Sequence, residues 1–99
     1  MKEEIKKLIL DILTELSGVE AEQISSSKNL VKDLGLNHSK MKRVMMGVEI
    51  GVEEEIENVR EIPFEKFDDL CELMLNARQL DKMTEVVCAA YKNGNHKKQ

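Results

Sequence analysis

Apolar residues recur at steps of three and four positions at the start of the chain, with Lys, Glu and Asp between them. This spacing places the apolar side chains on one face of an amphipathic helix. The pattern therefore predicts a first helix from Lys2 to Ser17, and Gly18 stands where a glycine commonly ends a helix. The apolar positions of this helix are Ile5, Leu8, Ile9, Ile12, Leu13 and Leu16.

The next stretch, from Val19 to Lys32, has no helical stripe and contains a polar cluster from Ser25 to Asn29. This composition predicts a long connection. A connection of this length in a small domain needs apolar anchors against the core. The residues that offer such anchors are Val19, Ile24, Leu30 and Val31, followed by Leu34 and Leu36 on either side of Gly35.

A second apolar stripe predicts a helix that starts near Asn37 to Ser39, with Asn37 or Ser39 as its N-cap. Gly47 and Gly51 fall inside this helix, and each costs up to about 1 kcal/mol relative to Ala in a helix interior. We therefore expect close packing or a bend at the two glycines. The apolar positions of the stripe are Met41, Val44, Met45, Val48, Val52 and Ile56.

Two more helical stripes follow Pro63, and the second of them is expected to end before Asn93 and Gly94. The third stripe contains Phe64, Phe67, Leu70, Cys71, Met74 and Leu75, and the fourth contains Met83, Val86, Val87, Ala90 and Tyr91. We thus predict an all-α fold, a four-helix bundle over residues 1–93 with a polar C-terminal tail over residues 94–99.

Composition narrows the class of protein. The 99 residues make one domain, and one Pro with five Gly is too few turn residues for an all-β sandwich. A net charge of −4 gives little attraction to nucleic acid or anionic lipid. No apolar run approaches the ~18 residues of a membrane span. We therefore expect a cytoplasmic protein with neither a nucleic-acid nor a membrane partner.

The two cysteines carry no recognisable metal-binding or redox spacing. Cys71 and Cys88 form no Cys-x-x-Cys motif, and the histidines His38 and His96 are distant from them in sequence. A free Cys behaves as a small hydrophobic residue in most cores. We therefore predict two reduced, buried, structural cysteines and no metal site.

The stretch Asp33–Ser39, followed by Val44–Glu49, resembles the signature region of acyl carrier proteins, where an Asp-Leu-Gly-x-Asp-Ser-Leu segment opens the second helix. The amphipathic first helix, the long first loop, Glu61–Pro63 and Lys82–Gly94 agree with that family in order and character. The resemblance implies a four-helix bundle of acyl-carrier type. It also implies a signature serine that carries phosphopantetheine through a phosphodiester, with an acyl group held on the arm as a thioester.

Two runs, Val52–Pro63 and Pro63–Thr84, are longer than in that family. We interpret them as an extended second helix and a much extended third helix.

The attachment point departs from the family pattern. Without a gap after Gly35, His38 falls on the position of the serine, and an imidazole is not the ordinary acceptor of phosphopantetheine. If the loop holds one extra residue, Ser39 takes the serine's place, at a helix N-terminus whose free N–H groups and positive dipole end favour a phosphodiester. Capping of the helix alone is the alternative role for Ser39.

Basic residues occupy the first turns of the second helix, which is typically acidic in the family. Lys40, Lys42 and Arg43 each oppose the helix dipole by about 0.3–1 kcal/mol, so intrinsic helix stability does not explain them. We interpret these three residues, with His38, as facing a partner, and a solvated mixed face is the alternative. The later turns are acidic through Glu49, Glu53, Glu54, Glu55 and Glu57.

The leading hypothesis is a specialised acyl carrier protein of fatty acid or polyketide biosynthesis, with phosphopantetheine on Ser39. Its partners would be a phosphopantetheinyl transferase and acyl-transferring or acyl-activating enzymes. The alternative is a carrier-like protein-interaction module that is not phosphopantetheinylated. We expect no enzymatic activity, because His38 has no nucleophile and orienting acid in a recognisable pattern.

The sequence also bears on association. We expect a monomer, and the alternative is a dimer through the third helix that uses Phe64, Phe67, Leu70 and Met74.

Three methionines near the start of the second helix offer an adaptable apolar cleft, although ordinary core packing is the expectation. They are Met41, Met45 and Met46.

Overall fold

The computed structural model describes residues 2–24, 29–55 and 64–97, with side chains for 2–24, 29–52 and 65–91, and every regular element in these ranges is helical. The helices are α1 (Lys2–Ser17), α2 (Leu30–Leu34), α3 (His38–Glu55), α4 (Phe64–Ala77) and α5 (Leu80–Lys97), with a 3₁₀ turn at Ala21–Gln23. The all-α class is therefore confirmed. No helix of the described ranges is both long enough and apolar enough to cross a bilayer.

Helix α1 has the predicted bounds. Its inner face buries Ile5, Ile9 and Leu13 completely. Gly18 follows in the left-handed region at φ 73°, where a residue with a Cβ is strained, and its N–H donates to the Thr14 carbonyl over 2.9 Å. The glycine thus ends the helix as predicted.

Four long helices close into a ring around one core. Helix α1 packs against α3 and α5, and α4 packs against the same two neighbours. The fully buried side chains come from all four helices, so a single apolar core lies on the axis of the ring. They include Ile5, Ile9, Leu13, Met41, Val44, Met45, Val48, Cys71, Met74, Met83 and Val87.

The two glycines of α3 lie against α1. Close packing was one of the two explanations expected for glycines that are unfavourable inside a helix. A Cβ on Gly47 would stand 2.5 Å from Ile12 Cδ1, and a Cβ on Gly51 would stand 2.7 Å from Leu8 Cδ2. Because the later glycine contacts the earlier residue of α1, the two helices run antiparallel. Close approach, rather than a bend, therefore accounts for both glycines.

The long connection contains a helix that the sequence did not reveal. Helix α2 lies where an irregular segment was expected, and Asn29 caps it by accepting the Lys32 N–H at 3.2 Å. The Leu30 N–H donates to the Arg78 carbonyl over 2.7 Å, which ties α2 to the turn between α4 and α5. The expected anchors are confirmed, since Ile24, Leu30 and Leu36 are buried and the others are partly buried against the core, namely Val19, Val31 and Leu34.

The third apolar stripe forms α4, which ends at Ala77, and Arg78, at φ 62°, turns the chain into α5 at Leu80. The interpretation of a much extended third helix stays a prediction. The expected end of the fourth helix before Asn93 is wrong, because α5 continues to Lys97. The division between residues 93 and 94 stays a prediction, although the backbone helix crosses it. Ile56 and Pro63 lie outside the described residues.

Candidate functional site

The N-terminus of α3 is capped by Asn37. The Asn37 side-chain oxygen accepts the Lys40 N–H at 2.9 Å, and the Asn37 carbonyl accepts the Met41 N–H at 2.9 Å. Asn37 therefore precedes the helix as its N-cap, and Ser39 is the second residue of the helix proper. Of the two capping residues that the sequence offered, Asn37 has that role and Ser39 does not.

The Asp-Leu-Gly segment leads directly into this helix start. Asp33 and Leu34 end α2, and Gly35 adopts a left-handed conformation at φ 61°. The N–H groups of Gly35 and Leu36 both point to the Val31 carbonyl, the latter over 3.2 Å. Since Leu36 is buried, it holds the segment against the core just before α3 begins.

Ser39 is exposed at the start of α3, and Lys40 and Arg43 are exposed beside it. The first N–H groups of a helix have no acceptor within the helix, so they add a partial positive charge at this end. The described part of α3 contains no acidic residue before Glu49. The surroundings of the Ser39 hydroxyl are therefore electropositive and open to solvent.

His38 and Lys42 face α4 through one carboxylate. Lys42 Nζ lies 3.0 Å from Asp68 Oδ1, and His38 Nε2 lies 3.8 Å from the same oxygen. All three side chains stay 38–41% exposed, so the cluster is at the rim of the α3–α4 contact. Asp68 is a site residue that sequence reasoning missed, because nothing in the spacing of α4 indicates which residue of α3 it meets.

Cys71 lies one helical turn beyond Asp68 and faces the core. Burial, with a smaller contribution from the Asp68 charge, raises the pKa of its thiol to about 11. A thiol with this pKa is protonated at neutral pH and is a poor nucleophile. Burial also raises the pKa of Cys88, which is half-buried, and both cysteines are unpaired. The prediction of buried cysteines is confirmed for Cys71 and is wrong for Cys88, which is only half-buried.

The three methionines near the start of α3 differ in burial. Met41 and Met45 are fully buried, whereas Met46 is 57% exposed on the outside of α3. Core packing is therefore confirmed for the first two methionines and wrong for Met46. Ile50, one turn further along α3, is 56% exposed.

The third helix of the prediction does not offer its apolar stripe to a second copy. Phe67, Leu70 and Met74 are all buried in the chain's own core, and the side chain of Phe64 lies outside the described residues. An open groove lies instead between α4 and α5, lined by Leu73, Ala77, Lys82 and Val86 among others. No lining residue within the described side chains belongs to α3, so this groove is separate from the surroundings of Ser39.

Comparisons with protein-family models, with curated proteins and with solved structures found no match to this chain.

Proposed function

We propose that this chain is an acyl carrier protein that presents a phosphopantetheine-tethered acyl thioester on Ser39 to partner enzymes. The observation that supports the proposal most is the position of Ser39, exposed at the second residue of α3 while Asn37 caps the helix. The hydroxyl therefore has no part in starting the helix and is accessible to a transferase. The four long helices and the left-handed turn at Gly35 agree with a bundle of acyl-carrier type.

The charge at this end of α3 suits a covalently held phosphodiester. One negative charge on Ser39 would lie within the first turn of the helix, where the dipole stabilises an anion by about 0.3–1 kcal/mol. Lys40 and Arg43 are exposed one and four residues further on. The positive charge of Lys40 and Arg43 is unfavourable at the start of the unmodified helix. After attachment, the negative phosphodiester would compensate it.

Attachment is a group transfer to the Ser39 oxygen. That oxygen bonds to the phosphorus of a coenzyme A donor, the phosphorus–oxygen bond to the adenosine bisphosphate leaving group breaks, and the hydroxyl proton passes to a base of the transferase. When bound, the arm supplies a terminal thiol that carries acyl groups as thioesters. Cys71 does not compete as an acyl carrier, since burial keeps its thiol protonated.

The test is incubation of the purified chain with coenzyme A and a phosphopantetheinyl transferase of broad specificity, followed by intact mass measurement. The expected result is a gain of one phosphopantetheine, absent in Ser39→Ala. Ser17→Ala is the matched control, because the Ser17 hydroxyl already donates to the Leu13 carbonyl and is only half-buried. Peptide mapping then places the group on the fragment that contains Ser39.

An unchanged mass with several transferases, while a known carrier is modified in the same reaction, would refute the proposal. So would a gain that persists in Ser39→Ala. Mass measurement of the chain isolated from its own source gives an independent answer, since a carrier protein in use carries the group.

A carrier-like interaction module without the arm is the second candidate. The observation that favours it is His38, which occupies the serine's position in the ungapped alignment and whose ring lies beside Asp68 at the α3–α4 contact. In that case His38, Lys40, Lys42 and Arg43 form the partner-facing surface. Binding of an isolated partner that is unchanged in Ser39→Ala but lost in Arg43→Glu supports this candidate over the carrier.

A further inference from the structure

The outward face of α3 carries a stripe of four residues that the core does not use. Ser39, Arg43, Met46 and Ile50 follow one another at steps of four, three and four, which keeps them on one side of a helix. The opposite side carries Met41, Val44, Met45, Val48 and Val52, all of them buried. We call these four exposed residues the outer stripe.

The outer stripe has an apolar centre that faces solvent. Met46 and Ile50 are 57% and 56% exposed, and with Leu73 they are the large apolar side chains most exposed in the described part of the chain. Steps of three and four residues are those of the apolar seam by which two helices pair in a coiled coil. The spacing therefore suits contact with another helix.

The distribution of charge along α3 indicates which kind of helix would pair with the outer stripe. The helix is basic near its start, through Lys40 and Arg43, and acidic near its end, where Glu53, Glu54 and Glu55 follow one another in the sequence. Met46 and Ile50 each lie two residues from Val48, on opposite sides of it. Arg43 and Glu53 each lie five residues from Val48, again on opposite sides. An antiparallel copy of α3 centred at Val48 thus matches apolar with apolar positions and basic with acidic positions.

We propose that two copies of this chain associate through α3, antiparallel, with Met46 of each against Ile50 of the other and with the position of Arg43 in each copy level with the position of Glu53 in the other. A twofold axis then crosses the outer side of α3 at the level of Val48. The interface is isologous, as in most homodimers. The apolar centre has only four side chains, so association is weak and appears at high protein concentration. The proposal does not depend on modification of Ser39, because the pairing uses residues beyond it.

Sedimentation equilibrium on the unmodified chain tests the proposal over micromolar to millimolar concentrations. The expected average mass rises from 11.3 kDa towards twice that value. Met46→Asp and Ile50→Asp should each hold the mass at that of one chain. Leu73→Asp is the matched control, because Leu73 is 54% exposed on α4 and should leave the association unchanged. Circular dichroism checks that all three variants keep their helices.

The orientation is tested by charge reversal. Arg43→Glu and Glu53→Arg should each raise the dissociation constant at least tenfold, and the double variant should recover most of the loss. In a parallel pair Arg43 would face its own equivalent, so Arg43→Glu would not be rescued by Glu53→Arg.

Three outcomes would overturn the proposal. The first is a mass of one chain at every concentration, which would leave the outer stripe to a different protein. The second is a dimer that persists in Ile50→Asp, and the third is a dimer that only Leu73→Asp disrupts.

Discussion

Gly47 of α3 lies directly against Ile12 of α1, so closely that a methyl group on the glycine would stand 2.5 Å from the Ile12 Cδ1 atom. A Cβ atom does not occur at that distance from another carbon in a relaxed structure. The Cδ1 atom is the far end of the Ile12 side chain, which is partly buried against the core, so a larger residue at position 47 requires that side chain to shift. The absence of a side chain on Gly47 therefore allows the two helices to approach closely at this level of the bundle.

The first prediction concerns this contact. Gly47→Val should lower the free energy of unfolding by about 1–3 kcal/mol, because the added methyl groups overpack the interface. Chemical denaturation of the variant measures the loss. In the double variant, Ile12→Ala restores the space. The loss of stability in the double variant should therefore be smaller than the sum of the two single losses by more than about 0.5 kcal/mol. Simple additivity would show that positions 47 and 12 are not coupled and would contradict this account of the contact.

The second prediction separates capping from attachment at the start of α3. Asn37→Ala removes the acceptor of the Lys40 N–H and should cost about 0.5–2 kcal/mol of stability. Ser39→Ala removes no capping bond, so its cost in the unmodified protein should stay within about 0.5 kcal/mol. Urea denaturation of both variants gives the comparison. A larger loss for Ser39→Ala than for Asn37→Ala would assign the cap to the serine.

The third prediction concerns Arg78, the one residue other than glycine with a positive φ in the described ranges. A side chain in the left-handed region costs about 1–2 kcal/mol. Arg78→Gly should therefore raise the free energy of unfolding by up to about 1 kcal/mol, despite the greater freedom of glycine in the unfolded chain. Arg78→Ala is the control and should give no gain. Thermal unfolding of the three proteins side by side measures the effect.

The fourth prediction uses the two thiols. Iodoacetamide should react with half-buried Cys88 before Cys71, whose buried thiol reacts only when the bundle opens. Alkylation followed by peptide mass measurement gives both rates. Equal rates in the folded protein would contradict the burial of Cys71.

The thiol of Cys71 also predicts a pH dependence. Its pKa is about 11 in the folded protein, against an ordinary value of 9.0. A raised pKa means that the folded state keeps the proton where the unfolded state has lost it. This contribution to stability is complete below pH 9 and is lost as the pH rises through 11. Stability should therefore fall more steeply over this range than in Cys71→Ala, and parallel curves would exclude the effect.

The long helices were predictable because their apolar spacing is regular over several turns. Helix α1 has the predicted bounds, and α3 starts where Asn37 was expected to cap it. The exposure of Met46 was also accessible to reasoning. When Met45 lies on the buried side with Met41 and Val48, the next residue turns 100° away from it. Treating the two adjacent methionines as equivalent was the error.

The remaining features depend on contacts between distant parts of the chain. A five-residue helix such as α2 shows no repeated stripe, and its start depends on the carbonyl of Arg78. Asp68 meets His38 and Lys42 only because α3 and α4 pack side by side. The candidate attachment residue Ser39 was identified by its resemblance to a motif, whereas the carboxylate of Asp68 beside His38 and Lys42 needed the folded structure.

The hydrogen bond between the Leu30 N–H and the Arg78 carbonyl joins the start of α2 to the turn between α4 and α5. Helix α2 begins at Leu30 and leads through Gly35 and Leu36 into the start of α3, so this hydrogen bond supports the segment that positions Ser39. A residue inserted after Ala77 would move the supporting carbonyl. The displacement would be transmitted through α2 to the serine, so the surface around Ser39 is set in part by a turn that lies outside it.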